Sequence, residues 1–508
     1  MARYGFAIDL RKCIGCHACT IACKVEHQIP VGVNRCWVKT VEKGRFPDTR
    51  RFFFPVLCNQ CDEAPCVRIC PTSALYKRRD GIVDLNGAAC IGCRACMVAC
   101  PYDQLFIDPN TRTAEKCNFC ANRVENRLLP ACVSVCPTEC RIFGDLDDSA
   151  SEVHRIVHAA GVTTRKPEKG TAPHVYYIGA EQSAIQPEIA ARPFYFKEGT
   201  VAMRPLGSPE PDPRDPGAPR VDYDTPHVKP WGLDMAVYLL SKGIATGCLL
   251  LSVVLWVAGL RDGLTTIAAP AIALVMISVT AAVLVIDLER PERFLMILTR
   301  PNWSSWLARG AFILTAFGAV TAAWLGAAWL GLERVLALLA LPAGAAAIAA
   351  TIYTSFLFAQ GLARDLWQGP HSSVDLLAQA VAEGAAAMLL ASRVPGVTAT
   401  PAVMTALAWI LFGAVALHLV LILVENLLTP SATLHHELAV RAIRRGAFSR
   451  VFWAGAVVCA AASLLLVAAA PIGRSGATAV VAAALLALAA TFAWEYVWVE
   501  AGQSVPLS

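Results

Sequence analysis

Two hydropathy regimes meet near residue 232. Beyond it, long apolar runs alternate with short polar breaks, and a bilayer crossing needs roughly twenty apolar residues. Eight runs qualify, at about 235–260, 264–287, 309–331, 334–359, 374–394, 403–428, 451–471 and 476–499. They predict eight transmembrane helices, and the even number returns the C-terminus to the side of the N-terminal region. Before residue 232 the apolar runs are short. Tyr4–Leu10, Phe52–Leu57 and Gly81–Leu85 read as strands, each leading toward a group of cysteines. Between the regimes, residues 205–230 carry eight prolines, among them Pro209, Pro211, Pro213, Pro216 and Pro219, which predicts an extended, semi-rigid connector.

Composition sharpens the division. Of 508 residues, 56% are hydrophobic and 16% charged, against roughly 45–50% and 25% in a soluble chain. Residues 1–230 hold 30 Lys/Arg and 26 Asp/Glu, whereas residues 231–508 hold 14 and 13. Of twenty cysteines, eighteen lie at or before Cys140, leaving Cys248 and Cys459. A net charge of +5 is small for this length and argues against a nucleic-acid partner. The opening MARYGFAIDLRKC has neither an apolar signal core nor a twin-arginine run, which predicts no export. In a reducing compartment, dense cysteine points to metal before disulfides.

Sixteen cysteines form four groups: Cys13, Cys16, Cys19, Cys23; Cys58, Cys61, Cys66, Cys70; Cys90, Cys93, Cys96, Cys100; and Cys117, Cys120, Cys132, Cys136. The first and third follow C-x2-C-x2-C-x3-C, the bacterial ferredoxin spacing. Pro71, Pro101 and Pro137 follow the last cysteine of the second, third and fourth groups, whereas the first group ends Cys23-Lys24. Three thiolates on one tight loop can cap three irons of a cubane, while the fourth reaches a neighbouring cluster. Sixteen ligands predict four [4Fe–4S] clusters in two interleaved ferredoxin-like modules. Zinc ribbons also use C-x2-C pairs, but the full x2-x2-x3 run is a cluster pattern. Cys13-Ile-Gly-Cys16-His17 matches c-type haem attachment in form only, since Cys19 and Cys23 follow at once. Cys36 and Cys140 fall outside the groups and read as small buried residues. The predicted fold is an α+β tandem ferredoxin-like iron–sulfur domain at 1–200, a Pro-rich linker at 201–232, and an all-α integral membrane bundle of eight transmembrane helices at 233–508.

The runs CNQCDEAPCVRICPTSALYKRRDGIVDLN, CIGCRACMVACPYD and CPTECRIFGDLDD resemble the four-cluster electron-transfer subunits of molybdopterin oxidoreductases. Dimethyl sulfoxide, polysulfide and nitrite reductase systems use this type, and the resemblance covers about residues 3–180. It implies four ligand sets: Cys13, Cys16, Cys19 with Cys136; Cys117, Cys120, Cys132 with Cys23; Cys58, Cys61, Cys66 with Cys100; and Cys90, Cys93, Cys96 with Cys70. Cys140 stands where that family usually has a small residue.

Arginines in the short loops orient the bundle. Loops on the side of the N-terminal region hold nine: Arg290, Arg293, Arg300, Arg309, Arg364, Arg441, Arg444, Arg445 and Arg450. The opposite loops hold Arg261, Arg334, Arg393 and Arg474. Nine against four predicts a multi-pass protein of a bacterial-type cytoplasmic membrane, with the iron–sulfur domain and both termini in the cytoplasm. Docking of that domain by some of these arginines would weaken the count.

Polar groups in the spans gather at one end. Asp234, Tyr238 and Lys242 start the first span, Asp287 ends the second, and Tyr353 lies near the end of the fourth. Gln379 and Glu383 lie in the fifth, His418 and Glu425 late in the sixth, and Glu495 near the end of the eighth. Under this topology all lie on the side of the iron–sulfur domain. Intramembrane polar groups are costly and usually functional, although any one of them could be a satisfied helix–helix hydrogen bond. A quinone needs such a pocket, because its two electrons travel with two protons. The candidate pocket is Asp234, Tyr238, Lys242, Tyr353, Gln379 and Glu383, with Tyr353, Lys242, Glu383 and His418 as proton-transfer groups. His418 is the single histidine in the spans, so a bis-histidine haem is not expected.

The run DLERPERFLMILTRPNWSSW, Asp287–Trp306, makes the membrane half similar to the eight-helix quinone-binding subunit of polysulfide reductase, the NrfD type. This implies that Tyr238 and Tyr353 offer side chains to the quinone head group. Lys242 and Glu383 depart from the small or neutral residues common there; they could pair, supply protons or mark a different quinone. Better-known members of that family face their clusters outward, against the arginine count.

The combined expectation is the electron-transfer and membrane-anchor subunit of a quinone-linked oxidoreductase. Electrons would pass between a catalytic subunit, of molybdenum/tungsten-bis-pterin type, and menaquinone or ubiquinone. No trustworthy nucleotide motif and no room for a pterin domain remain, so substrate chemistry falls to the partner. The alternative is a membrane-bound ferredoxin module of a hydrogenase-, cytochrome- or ion-coupled complex without its own quinone chemistry. A pump would need a polar path through the outer half, which is nearly bare.

Overall fold

The structure is a computed structural model and describes all residues except 1, 160, 193, 194, 198, 199, 203–205, 213 and 470–476, with backbone alone at 195–197, 200–202 and 477. Pro213 and Arg474 thus lie outside the described residues. Strand β1 (Tyr4–Asp9) carries Phe6, Ala7 and Ile8, all fully buried, as suits a strand covered on both faces. With β2 (Cys36–Arg45), β3 (Asp48–Leu57), β4 (Arg141–Asp145), β5 (Val162–Thr163), β6 (Val175–Ile178) and β7 (Arg220–Tyr223) it builds two sheets, β4-β1-β6-β5 and β7-β2-β3. In the first, β1 runs antiparallel to β4 and parallel to β6. Pairing the first strand with the strand after the last cysteine group carries the first group back against the fourth. Helix α1 (Ala18–His27), which holds Cys19 and Cys23, consequently packs on the short helix Ala131–Ser134, which holds Cys132. This is how the interleaving is built.

The predicted strand at Phe52–Leu57 is the inner half of β3, paired residue for residue with β2. Strand β7 adds to the far side of β2, so part of the predicted connector is a strand of the iron–sulfur domain. Just after it, Asp224 is buried, accepts from Trp37 Nε1 at 2.8 Å and pairs with Arg192 at 2.9 Å. The run Gly81–Leu85 becomes the strand Val83–Leu85, paired with Leu75–Lys77.

All eight expected spans are present: α2 (Leu233–Val257), α3 (Leu264–Ile286), α4 (Trp306–Trp329), α5 (Glu333–Ala359), α6 (Ser372–Ala391), α7 (Pro401–Leu428), then, after the amphipathic α8 (Leu434–Arg444), α9 (Val451–Ala469) and α10 (Ala477–Gly502). In α2 and α6, 78% and 72% of the apolar window is buried, against 22–33% in α3, α4, α5, α7 and α9. The pair α2 and α6 is therefore the centre of the bundle. Small residues permit it: a β-carbon at Gly247 would overlap the Ala380 carbonyl, and one at Gly384 would overlap the Gly247 backbone. Gly247→Val is expected to force these backbones apart and to cost at least about 1–3 kcal/mol, the usual range of overpacking. Gly413→Val, where nothing lies near the added carbon, is expected to match the wild type. Thermal unfolding of the detergent-purified proteins measures the difference.

The two halves meet along the segment between α3 and α4. Arg94 Nη2 donates to the Asp287 carbonyl at 2.8 Å and forms an ion pair with its carboxylate. Arg293 Nη1 donates to the carbonyls of Gly87 and Cys90 at 2.8 and 2.9 Å. Asn302 donates from its backbone to Pro71 and from Nδ2 to Cys70, both at 2.8 Å, and Ser305 Oγ donates to Ile69 at 2.6 Å. Gly92, at φ +70°, leaves room for Glu289, whose side chain a β-carbon there would strike. The sequence signature Asp287–Trp306 is a cradle for the second and third cysteine loops.

A second clasp joins Lys169 to Asp365 in the loop between α5 and α6. Burial opposes ionisation of Asp365, but Lys169 and the Thr433 hydroxyl, both bonded to it, outweigh burial and hold the carboxyl below its ordinary value. A lowered folded-state value contributes stability that is full above the ordinary carboxylate range and lost as pH falls through the lowered one. Acidification below about pH 4 is thus expected to loosen this clasp. Limited proteolysis of the connector at stepped pH, with Asp365→Asn as the pH-insensitive comparison, measures it.

Candidate functional site

The two CIGC loops turn alike, with Gly15 at φ +69° and Gly92 at φ +70°, where a side chain would be strained. Each loop feeds a helix that carries the next cysteines. The turns aim thiols inward rather than at one another. Cys70, Cys90, Cys93 and Cys96 line one cavity, and Cys13, Cys16, Cys19 and Cys136 line another together with Cys140. Cys23 lies within electrostatic reach of Cys120 and Cys132, and Cys117 within reach of all three. Cys61 faces Cys58, Cys66 and Cys100. Each group of four implied by the sequence resemblance is thus brought together.

The groups also follow one another in space. Cys19 adjoins Cys132, Cys117 adjoins Cys58, and Cys66 adjoins Cys70. The series begins at Cys16, which is exposed, and ends against the membrane half. The donor set fits [4Fe–4S] clusters. Among the described residues no three His, Cys, Asp or Glu side chains converge on a single-ion point, whereas a cubane takes its thiolates at separate corners. Burial pushes the free Cys100 and Cys132 thiols up to about 11. Thiolates at neutral pH there need the positive charge that irons supply. Backbone N–H groups of Leu75, Ala114 and Phe119 point at the sulfurs of Cys70, Cys90 and Cys117 at 3.4–3.5 Å.

The membrane group lies directly beneath. Trp231 Nε1 donates to the Cys93 carbonyl at 3.4 Å, and its ring packs on Phe358 and Trp367. Trp231, Met235, Tyr238, Leu239 and Tyr353 share one continuous core with Cys70, Cys90 and Cys96. Two turns into α2, Tyr238 hydrogen-bonds Tyr353 of α5 and lies 3.2 Å from Thr354 Oγ1. Lys242 Nζ donates to Thr354 Oγ1 at 2.6 Å and to the Thr351 carbonyl at 3.3 Å, and stands 5.5 Å from the centres of both tyrosine rings. Glu383 and Glu495 are buried within its electrostatic reach. Glu383 has only the Thr491 hydroxyl within hydrogen-bonding reach, and one oxygen of Glu495 has no hydrogen-bond partner. Beyond them, Asp375 accepts from Gln379 Nε2 at 2.7 Å and Trp494 Nε1 at 3.2 Å, and lies 2.6 Å from His418 Nδ1. His418 Nε2 is left free.

Tyr238, Lys242, Tyr353, Gln379, Glu383, His418 and Glu495 are thus assembled into one buried polar chain. Asp234 is exposed at the start of α2 and does not join it. Asp287 serves the docking seam. Glu425 sits half-buried at the edge, beside Gly369. Lys242 and Glu383 form no ion pair, because Lys242 turns to Thr354 while Glu383 lies over Gly243. The centre of the inner cluster, Asp375, was not among the expected residues, nor were Thr354 and Trp494. A signal existed for the first: Asp375, Gln379 and Glu383 recur every four residues on one face of α6.

Comparison with known proteins matches residues 223–506 to the family model "Polysulphide reductase, NrfD" and residues 49–146 to a 4Fe-4S dicluster domain. A tetrathionate reductase subunit of Salmonella typhimurium is 42% identical over 201 residues, 39% of this chain and 80% of that protein. A polysulfide reductase component of Wolinella succinogenes is 39% identical over 187 residues, 36% of this chain and 98% of that protein. The arsenate respiratory reductase iron-sulfur subunit ArrB of a Shewanella species is 36% identical over 224 residues, 35% of this chain and 96% of that protein. With a cysteine series of the dicluster kind seated on an eight-helix bundle, this chain belongs to the polysulphide reductase NrfD family and carries a 4Fe-4S domain in the same polypeptide.

Proposed function

We propose that this chain carries electrons between a catalytic subunit of the molybdenum/tungsten-bis-pterin type and a membrane quinone, menaquinone or ubiquinone. Four [4Fe–4S] clusters, when bound, supply one-electron carriers. Their ligands, from the outer end to the membrane, are Cys13, Cys16, Cys19, Cys136; then Cys117, Cys120, Cys132, Cys23; then Cys58, Cys61, Cys66, Cys100; then Cys90, Cys93, Cys96, Cys70. The observation that carries this reading is the packed path from half-buried Cys93 through Trp231 to Tyr238 and Tyr353, with Lys242 against both tyrosine rings.

In the membrane the hydroxyls of Tyr238 and Tyr353 and the Lys242 side chain would hold the quinone head group by donating to it. Glu383 and Glu495, both buried beside it, would exchange protons with the head group. Asp375 orients His418 and Gln379, leaving His418 Nε2 open to exchange a proton. Asp375→Asn is expected to slow quinone turnover by roughly tenfold to a hundredfold, the worth of a lost charge-assisted hydrogen bond of about 1.5–3 kcal/mol. Stopped-flow absorbance of the clusters measures it, at unchanged iron content.

Around exposed Cys16 the side chains of Ile14, Ile21 and Val25 are exposed, as are Leu128, Leu129 and Val135 on the segment leading into and out of the neighbouring short helix. An apolar rim at the outer end of the cysteine series suits the catalytic partner. Relatives named as subunits of tetrathionate, polysulfide and arsenate reductases support a partner that holds the substrate site. A cytoplasmic iron–sulfur domain in a bacterial-type membrane remains the favoured orientation. Arg290 and Arg293 are engaged in docking and Arg364 is buried within electrostatic reach of Asp103 and Cys100, and removing those three from nine leaves six against four. Metal analysis of the complex purified through this chain tests the partner: molybdenum or tungsten is expected, and nickel or additional haem would overturn it.

A further inference from the structure

Arg141, the first residue of β4, is 2% exposed. Its Nη2 donates to Cys19 Sγ at 3.4 Å and Cys36 Sγ at 3.2 Å, and its Nη1 has no partner. Among the described residues no carboxylate forms an ion pair with it; the charges that act on it most strongly are those of the Cys36, Cys19, Cys132 and Cys140 sulfurs. Lys116 repeats the arrangement one step further in. It is also 2% exposed, and its ammonium donates to the carbonyls of Val83 and Cys117 and stands within electrostatic reach of Cys66. No carboxylate pairs with it either among the described residues. By contrast Arg94, at the membrane end, is neutralised by Asp287.

A cation taken out of water without a counter-ion is strongly unfavourable. Both sites persist only if something beside them is negative. A cubane held by four thiolates is anionic and becomes more so on gaining an electron. Arg141 lies where the first ligand set meets the second, and Lys116 where the second meets the third. We infer that Arg141 and Lys116 are positioning charges for electron transfer: fixed cations wedged between successive clusters, which favour the reduced form and raise the reduction potentials of the clusters they adjoin. In a low-dielectric interior a fixed charge acts on its neighbours with little screening, and charge and hydrogen bonds to sulfur are recognised levers on cluster potential. This inference rests on the four-cluster reading above.

The test is a potentiometric EPR titration of the full chain, purified in detergent, with iron counted in each sample. For Arg141→Gln, the reduced-to-oxidised ratio of the two outer clusters at their wild-type midpoint is expected to fall about tenfold, a lowering of ~59 mV for one electron. The cluster nearest the membrane is expected to keep its midpoint, and Arg141→Lys is expected to stay close to wild type. An Arg141→Gln protein with full iron and unmoved midpoints overturns the inference. Should that variant lose a cluster, Lys116→Met carries the same test on the two middle clusters, with the same overturning result. Iron loss from both variants overturns it in favour of a role in cluster assembly. Failure of the four-cluster reading itself is visible separately, as wild-type iron below that of four cubanes.

Discussion

Cys93→Ala is expected to slow re-oxidation of the dithionite-reduced clusters by a short-chain quinone more than about a hundredfold, equivalent to at least ~2.7 kcal/mol of added barrier. Cys93 belongs to the set that lines the cavity nearest the membrane, and its own carbonyl receives Trp231 Nε1. Without that cluster the remaining three are separated from the Tyr238–Tyr353 group by the whole docking seam. EPR is expected to show one cluster missing and the others retained. Cys459→Ala, a half-buried thiol at the start of the regular part of α9, is expected to leave both spectrum and rate unchanged. Retention of the other three clusters separates loss of the conduit from misfolding, which would lose them as well.

Tyr353→Phe is expected to lower quinone turnover by about a hundredfold or more, within the ~10²–10⁴ range of a positioned proton donor, with iron content intact. The ring remains to fill the space against Gly310, where a β-carbon would already overlap it; only the hydroxyl bonded to Tyr238 is removed. Lys242→Met is expected to act comparably, and the double variant to lose less than the product, because Lys242 bonds the Thr354 hydroxyl, which lies 3.2 Å from the Tyr238 hydroxyl that Tyr353 bonds. Asp234→Asn supplies the contrast. Its side chain is exposed, apart from the buried chain, so its effect is expected to be within twofold of wild type, about 0.4 kcal/mol.

What the sequence revealed follows from how few physical alternatives each signal had. A twenty-residue apolar run has few destinations other than the bilayer, and eight such runs became α2–α7, α9 and α10. Cysteine spacing likewise located the thiols, because a tight loop can present three sulfurs to one site only at short intervals. The strand β2 was less visible, since its outer half carries Glu42, Lys43 and Arg45 and finds its partner in an equally charged half of β3. Strand β7 was hidden among prolines that read as connector. Within the membrane, span and depth were legible but partners were not. Lys242 and Glu383 look like a pair in sequence, yet helix rotation gives Lys242 to α5 and sets Glu383 against Gly243. The Asp287–Trp306 signature was visible as a motif, while its use as a cradle depends on carbonyls of loops more than two hundred residues away in sequence.

The most direct measurement returns the full chain to a lipid nanodisc without any partner, reduces its clusters with dithionite, removes the excess and adds quinone. Because the chain is proposed to hold both the clusters and the quinone pocket, it should complete this half-reaction alone. The expected result is cluster re-oxidation whose rate rises and saturates with quinone concentration and falls about a hundredfold in Tyr353→Phe. A chain with its full cluster complement that quinone does not re-oxidise, or re-oxidises equally fast in Tyr353→Phe, would contradict the proposed conduit.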